Sequence, residues 1–245
     1  MKPISNVAIF ADRKFKDNLT FYDQLAERNI QFDILIDVYC GAKDVFRGYD
    51  LILVPGIKWI SEEIVLQLGK YVRSGGRLMV TGKAGTVEYG SYQMRSRWLF
   101  EEMFSRSKVP EDTLEVHHGA GTAIYWPHQA EKIIERDAVR HKEFFACLDG
   151  LAAPLLTLRK SPSVTGRLAR CDKGQLYLCV VNYGDRPAEN VVIEIDHKLF
   201  KKETPEAFSH SLDPGVRKKI QIKRSGESVQ LVVPTLDVWQ LIILE

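Results

Sequence analysis

The sequence predicts two domains: an α/β domain with a doubly wound parallel sheet over residues 1–150, and an antiparallel β-sandwich over residues 151–245. Two observations lead to this prediction. In the first part, apolar runs without alternation recur between amphipathic stretches, which is typical of buried parallel strands joined by helices. In the second part, apolar residues alternate with a period of two, which is typical of antiparallel strands with one buried face. The character changes near Gly150, where residues 152–154 form a linker or first turn.

Strands and helices alternate along the first domain. We expect strands at residues 7–10, 32–36, 51–54, 78–81 and 122–126, and helices near residues 19–29, 61–74, 98–103 and 130–148. Right-handed crossovers between such strands give a flavodoxin-like, doubly wound parallel sheet.

The helix that begins after Ser61 has the clearest signals. The Ser61 hydroxyl can accept an orphan backbone N–H, and Glu62 and Glu63 then lie in the first turn, where the helix dipole favours negative charge. Gly75 and Gly76 end the helix, since glycine tolerates the left-handed conformation. The apolar stripe of this helix consists of Ile64, Val65, Leu68, Tyr71 and Val72.

Alternation defines the strands of the second domain. Leu176, Leu178 and Val180 alternate with more exposed positions, and so do Val191, Ile193 and Ile195. Residues 220–222 and 229–233 flank a turn at 225–226, and residues 236–244 are expected to form the last strand. Several short strands separated by turn signals indicate a sandwich.

Composition places the chain among soluble globular proteins. It has 245 residues, 45% hydrophobic and 27% charged, and a formal net charge of +2, so no overall field attracts nucleic acid or acidic lipid. We expect no membrane span and no secretory signal, and hence a cytoplasmic location. The cysteines, which show no paired spacing, are expected to be free thiols: Cys40, Cys147, Cys171 and Cys179.

Three segments carry a resemblance to a known family. The first is YDLILVPGIKWISEEIVLQLGKYVRSGGRLMVTG at residues 49–82, the second is GAGTAIYWP at residues 119–127, and the third is VVPTLDVWQLIILE at residues 232–245. The first two resemble the class I glutamine amidotransferase-like domain, as in the trimerisation domain of family 42 β-galactosidases. The third resembles the closing strand of the small β-sandwich that follows this domain in glycosidases.

The resemblance implies an accessory rather than a catalytic half. In those β-galactosidases the catalytic carboxylates lie on a preceding (β/α)₈ barrel of roughly 250 residues, for which this chain has no room. A working amidotransferase of this class has a pattern similar to Gly-x-Cys-x-Gly on the turn after a central strand. Here that turn is residues 81–85, and Lys83 takes the place of the nucleophile. An amine there does not form a thioester, so we expect no glutaminase activity and assign no catalytic residue.

Other chemical candidates are weaker. Cys40 follows the second strand and is the best alternative nucleophile, although a free cysteine is more often a packing residue. His141 and Glu143 have the spacing of the amidotransferase base, but they are expected on an exposed helix face. His117, His118 and His128 lack neighbours at ligand spacing, so no metal or other cofactor is expected.

A ligand pocket is a second possibility. Trp59, Lys83 and Cys40 follow predicted strands at the edge where α/β sites cluster, and the glycines around Lys83 can present N–H groups to an anion. Tryptophans can stack on sugar rings but are more often core residues, and Trp239 in particular is expected in the core.

Three hypotheses follow from these observations. The first is a non-catalytic accessory protein of carbohydrate metabolism that mediates homo-oligomerisation or association with a glycosidase catalytic subunit. The second is a carbohydrate or small-anion binding module, and the third is a cryptic hydrolase that uses Cys40. Enzymatic activity is the less favoured reading.

Overall fold

The computed structural model describes residues 2–11, 19–36, 45–88, 91, 93–129, 138–159, 163–200, 205–210 and 217–244. The chain forms two compact units. The α/β unit consists of Asn6–Tyr22 and Phe32–Ala153, and the sandwich unit consists of Met1–Ser5, Asp23–Gln31 and Pro154–Glu245. Two short stretches that the sequence analysis assigned to the first domain therefore pack with the sandwich.

A mixed six-stranded sheet forms the centre of the α/β unit. After β1 (Lys2–Pro3), which belongs to the sandwich unit, its strands are β2 (Val7–Ala11), β3 (Phe32–Ile36), β4 (Leu51–Pro55), β5 (Arg77–Thr81), β6 (Leu114–His118) and β7 (Gly121–Trp126). Their order is β3-β2-β4-β5-β7-β6. The neighbours from β3 to β7 pair in parallel, whereas β6 pairs with β7 in antiparallel fashion.

Side chains on both faces of this sheet are buried. Ile52 and Val54 of β4 join one core cluster with α2, while Leu51 and Leu53 of the same strand are fully buried on the opposite face. Successive side chains of a strand point to opposite faces. The continuous apolar run of β4 therefore reflects a strand that is covered on both sides, as the sequence predicted.

The described helices are α1 (Leu19–Glu27), α2 (Glu62–Arg73), α3 (Glu101–Phe104) and α4 (Ala138–Leu151). The helix expected at residues 98–103 begins only at Glu101 and extends to Phe104 as α3, and the buried Trp98 and Phe100 precede it. Residues 130–137 of the helix predicted at 130–148 lie outside the described residues, and α4 continues to Leu151.

The ends of α2 follow the predicted capping chemistry. The Ser61 Oγ accepts a hydrogen bond from the backbone N–H of Ile64 at 3.3 Å. Glu62 and Glu63 lie in the first turn, and Lys70 and Arg73 lie in the last turn, so both ends complement the helix dipole. Beyond the helix, Gly75 has a φ of 106°, a left-handed conformation that favours glycine.

The sandwich unit contains two antiparallel sheets, which confirms the predicted sandwich. Its strands are β1, β8 (Leu156–Arg159), β9 (Val164–Arg170), β10 (Leu176–Asn182), β11 (Ala188–Asp196), β12 (Ala207–His210), β13 (Arg217–Ile220), β14 (Ile222–Ser225), β15 (Ser228–Leu236) and β16 (Trp239–Leu244). The sheet orders are β1-β9-β10-β16-β12-β13 and β14-β15-β11-β8. The alternating residues of β10 and β11 form the core, as expected.

Two expectations about the C-terminal strands are wrong. Residues 236–244 do not form one strand, because β15 ends at Leu236 and β16 begins at Trp239. Trp239 is 45% exposed and is not a core residue. Ile242 and Leu244 face the core, and the alternation of a strand then directs Trp239 outward.

Two amide side chains bind β9 within the sandwich unit, and we call Asn29 and Gln31 the amide clamp. The Asn29 Oδ1 accepts the backbone N–H of Gly166 at 3.0 Å. The Gln31 Nε2 donates to the Gly166 carbonyl and its Oε1 accepts the N–H of Leu168, each at 3.0 Å. These bonds take the place of those that a neighbouring strand would make. The clamp therefore satisfies backbone N–H and C=O groups on the outer edge of β9.

Candidate functional site

The turn after β5 is the place where an α/β fold of the expected kind carries its chemistry. We call residues 82–86 the β5 turn. Gly82 and Gly85 have φ values of 55° and 66°, so both positions use the left-handed conformation. The Gly82 N–H donates to the Trp126 carbonyl at 2.8 Å, and the Gly85 N–H donates to the Ile57 carbonyl at 2.9 Å. These two N–H groups are therefore committed within the unit.

Three side chains donate to carbonyls of the β5 turn. The Tyr125 hydroxyl donates to the Gly82 carbonyl at 2.9 Å, and the Thr86 Oγ1 donates to the Lys83 carbonyl at 2.8 Å. The Trp98 Nε1 donates to the Ala84 carbonyl at 2.7 Å. The bonds from Tyr125 and Trp98 hold the turn against the core, whereas the bond from Thr86 closes the turn on itself. The Lys83 side chain is exposed.

Lys83 occupies the position that the resemblance assigns to a nucleophile. The β5 turn therefore presents an exposed lysine side chain on a turn fixed by internal hydrogen bonds. A covalent acyl-transfer site needs a nucleophile together with N–H donors that are free to stabilise an oxyanion. Lys83 offers no thiol, and the N–H groups of Gly82 and Gly85 are bonded within the unit, so these two do not serve as oxyanion donors.

The described cysteines are half-buried. Cys147 is on α4, and Cys179 is on β10. Burial raises the pKa of both thiols above the ordinary value, and Glu115 adds to the effect at Cys147. A raised pKa lowers the thiolate fraction and so the reactivity. Cys40, the nucleophile candidate of the sequence analysis, lies outside the described residues.

The remaining candidates are Trp59 and the histidines. Trp59 is half-buried and forms an isolated parallel bridge with Val87. The Nδ1 of His117 lies 3.1 Å from the Thr122 Oγ1, while the His118 ring contacts the Met103 carbonyl. The ligand site predicted from Trp59, Lys83 and Cys40 stays a prediction, as does the hydrolase hypothesis. Within the part of the chain that the structure describes, no cluster of side chains suits a metal ion.

Two grooves flank the outer face of α2. The first groove has a volume of about 500 Å³, and the second has a volume of about 1160 Å³. Neither is lined by Trp59 or Lys83. Leu66 of α2 lines both grooves and is 56% exposed, so it forms the crest between them. The first groove lies between α2 and the segment 95–103, with Trp98 and Met103 among its apolar lining residues.

The outer face of α2 combines this leucine with opposite charges at its two ends. We call Glu62, Leu66, Gly69 and Arg73 the α2 face; all four line the first groove. The Arg95 Nη1 contacts the Glu62 Oε1 at 3.0 Å. The Glu62 side chain remains 73% exposed, whereas that of Arg95 is 15% exposed, so Arg95 orients a carboxylate that still faces solvent.

Sequence reasoning placed no function on the α2 face. The available signal was Leu66, which lies outside the apolar stripe of Ile64, Leu68 and Tyr71 but is itself strongly apolar. A large apolar residue on the polar side of an amphipathic helix is a sign of an interaction surface when it lies among exposed residues.

The described helices include none that is both long and apolar enough to cross a membrane.

Comparison with known sequences gives a match to a family and to a curated relative. Residues 10–100 match the family described as the β-galactosidase trimerisation domain. The chain is also 33% identical over 84 residues to β-galactosidase GalA of Bacillus licheniformis, a match that covers 34% of this chain and 12% of that protein. The similarity therefore concerns a small part of that longer enzyme.

Solved structures resemble almost the whole chain at low identity. An α-L-fucosidase isoenzyme 2 from Paenibacillus thiaminolyticus has a TM-score of 0.69 and 14% identity, with 99% of this chain and 49% of that one covered. A GH42 β-galactosidase from G. stearothermophilus has a TM-score of 0.62 and 16% identity, with 100% and 40% covered. A rhamnosidase from Novosphingobium sp. PP1Y has a TM-score of 0.61 and 14% identity, with 98% and 22% covered. At these identities the likeness concerns the fold, and the chain spans less than half the length of each of these three enzymes.

Proposed function

We propose that this chain is a non-catalytic, glycosidase-accessory-like protein that mediates oligomerisation or association with a carbohydrate-active enzyme. The observation that carries the proposal is the match of residues 10–100 to the β-galactosidase trimerisation domain. The description of this family names assembly, and not bond cleavage, as the role of the matched segment. The proposal retains the cytoplasmic location expected from the sequence.

The proposal includes the finer fold assignment. The α/β unit is a class I glutamine amidotransferase-like domain with a flavodoxin-like, doubly wound sheet. The parallel pairing from β3 to β7 and the burial of both faces of β4 support this assignment. Such a domain without a nucleophile serves as a scaffold.

The β5 turn supports a role without catalysis. The exposed Lys83 stands where an amidotransferase of this class has its cysteine, and the Gly82 and Gly85 N–H groups are bonded internally. An accessory domain of this kind uses its surface, and its partner is a second copy of the chain or the catalytic subunit of a glycosidase.

Sedimentation velocity over a hundredfold range of protein concentration tests the proposal. We expect a mass above that of the monomer, or a complex when a GH42 catalytic domain is added. A protein that stays monomeric at the highest concentration and leaves the sedimentation of the catalytic domain unchanged would contradict it.

A further inference from the structure

We propose that the larger sheet of the sandwich unit carries a carbohydrate site, in which Tyr183 and Trp239 stack on neighbouring rings of a neutral β-linked oligosaccharide. We call Val181, Tyr183, Val238 and Trp239 the aromatic platform; all four belong to the sandwich unit. The inference goes beyond the proposed function, because the platform lies outside the segment 10–100 that carries that proposal. It depends on strand register, on exposure and on one buried asparagine.

The register of β10 and β16 brings the two aromatic side chains to one face of the sheet. Val181 of β10 pairs with Trp239 of β16. The Tyr183 N–H donates to the Ser163 carbonyl at 2.8 Å, which continues the ladder between β9 and β10. Successive side chains of a strand alternate, so Val181 and Tyr183 share the face opposite the buried Asn182. Tyr183 and Trp239 are then diagonal neighbours, a separation that aromatic side chains span.

The aromatic platform is apolar and yet exposed. Tyr183 is 73% exposed, Val238 is 63% exposed and Trp239 is 45% exposed. An exposed apolar cluster bordered by polar residues is typical of a binding surface. From these exposed fractions, the side chains offer on the order of 300 Å² of surface. A specific protein interface takes about 800 Å² from each partner, so the platform suits a small ligand better than a protein.

Asn182 fixes the backbone beneath the platform. Its side-chain Nδ2 donates to the carbonyls of Arg186 and Asp237 at 2.8 and 3.0 Å. Its Oδ1 accepts the Gly184 N–H at 2.9 Å and the Ser163 hydroxyl at 3.1 Å. The connection after β10 and the bend before β16 are thereby joined by one buried side chain. A site on such a fixed backbone loses less conformational entropy when a ligand binds.

The polar groups near the platform suit a neutral sugar. A β-linked pyranose ring presents C–H groups on its face, which pack on an aromatic ring, and hydroxyl groups at its edge, which need hydrogen-bond partners. Asp185, Arg186 and Asp237 are exposed on the two connections that Asn182 joins, and they supply such donors and acceptors. Both signs of charge are present, so no field selects a charged sugar. Equatorial β linkages keep successive rings in an extended row, which matches two aromatic side chains on a sheet face.

Saturation-transfer difference NMR on the full chain tests the site, with cellotetraose and mannotetraose as the probes. Both are neutral chains of β-linked pyranose rings, and they differ in the orientation of one hydroxyl group on each ring. We expect the strongest saturation at the C–H protons of one ring face, because that face contacts the aromatic side chains. A titration should give a Kd on the order of 1 mM, since stacking on two aromatic rings supplies a modest binding free energy.

Substitutions assign the binding to the platform. Trp239→Ala and Tyr183→Ala should each weaken binding about tenfold, because each removes one stacking surface. Tyr183→Phe keeps the ring and should retain the wild-type Kd. Met94→Ala is the matched control: Met94 is 70% exposed in the α/β unit, so its replacement removes exposed apolar surface elsewhere and should leave the Kd unchanged. Tyr183 lies beyond the end of β10, so Tyr183→Ala keeps the test decisive even if Trp239→Ala folds poorly.

The outcomes separate a sugar site from an assembly contact. Weaker binding in both alanine variants, with retention in Tyr183→Phe and Met94→Ala, supports the carbohydrate site. Absence of saturation transfer to both probes at millimolar concentrations overturns it, and so does a Kd that both alanine variants leave unchanged. A sedimenting mass that falls in the alanine variants, without sugar binding by the wild type, would make the platform an assembly contact. That result overturns the carbohydrate site and leaves the accessory role intact.

Discussion

The β5 turn and the α2 face lie in the same unit, yet their polar groups are used in opposite ways. In the β5 turn, the carbonyls of Gly82, Lys83 and Ala84 each accept a hydrogen bond from a side chain of the unit. On the α2 face, charged groups and Leu66 project into solvent. Trp98 contributes to both places, because its Nε1 holds the turn and its side chain lines the first groove.

The difference indicates which surface of the α/β unit has groups available for binding. Parallel α/β sheets usually bind ligands beyond the carboxyl ends of their strands. Here internal hydrogen bonds stabilise that turn, whereas the outer side of a crossover helix presents a leucine between opposite charges. A fold of this kind does not fix the function, so an α/β unit is compatible with a surface role when its loops pack inward.

Replacing Trp98 should have the largest effect, because it removes support from both regions. Its ring packs on Phe104 and Tyr125 with centroid distances of 5.3 and 5.1 Å. We expect Trp98→Ala to lower the free energy of unfolding by about 4 kcal/mol through the cavity that it leaves. Urea unfolding measures this.

Trp98→Phe is the matched control. It keeps an aromatic ring but leaves the Ala84 carbonyl without its donor, so the expected loss is about 2 kcal/mol. Equal effects of the two variants would contradict the division between packing and hydrogen bonding.

Alkaline pH should weaken both regions through two tyrosines. Burial raises the pKa of Tyr71 on α2 and of Tyr125 beside the β5 turn from 10.0 to about 12, since burial disfavours the phenolate. A raised folded-state pKa means that the stabilisation is complete below pH 10 and is lost as the pH rises toward 12. Each tyrosine accounts for about 3 kcal/mol in this window.

Unfolding by urea at several pH values between neutrality and pH 12 measures this loss. In Tyr125→Phe, the part of the loss that Tyr125 causes should disappear, so the stability of the variant should fall with pH about half as steeply. An unchanged slope would argue against a contribution from Tyr125.

Thr86→Val tests a single bond of the β5 turn. The substitution removes the donor to the Lys83 carbonyl with little change in volume, and we expect a loss of about 1 kcal/mol. Thr86→Ser keeps the hydroxyl and should retain most of the stability. Thermal unfolding of both variants provides the comparison, and equal Tm values would show that this hydrogen bond does not stabilise the turn.

Leu66→Ser should have the smallest effect on folding. Leu66 is 56% exposed, so its replacement should change the free energy of unfolding by less than about 0.5 kcal/mol. Urea unfolding of the monomer at low protein concentration checks this. A loss as large as that of Thr86→Val would mean that Leu66 belongs to the core of the unit and not to its outer surface.

Local chemistry explains the features that the sequence predicted well. The Ser61 cap depends on residues within one helical turn, and the burial of Leu176, Leu178 and Val180 depends on alternation within one strand. Such signals are contained in short windows. Trp239 was misplaced because residues 237–238 separate two strands, and the inward phase is set by Ile242 and Leu244.

Long-range bonds explain what the sequence did not reveal. The resemblance led to the prediction that Lys83 stands at a nucleophile position, which stays a prediction. The bond from Trp98 to Ala84, in contrast, joins residues 14 positions apart and depends on the packed core. Sequence analysis missed the α2 face because an apolar stripe identifies the buried side of a helix. It does not show which residues on the opposite side are exposed.

The amide clamp makes folding of the sandwich unit depend on two distant parts of the chain. Gln31 leaves the ribosome long before its partner Gly166, which lies 135 residues later in the chain. Contacts of such sequence separation slow folding, because the intervening chain must be closed into a loop before they form. A fragment that begins after residue 150 contains β9 but lacks Asn29, Gln31 and β1. The outer edge of β9 is then unpaired, which favours pairing with strands of other chains. The smallest autonomous form of the sandwich therefore includes β1, Asn29 and Gln31 as well as the strands from β8 to β16.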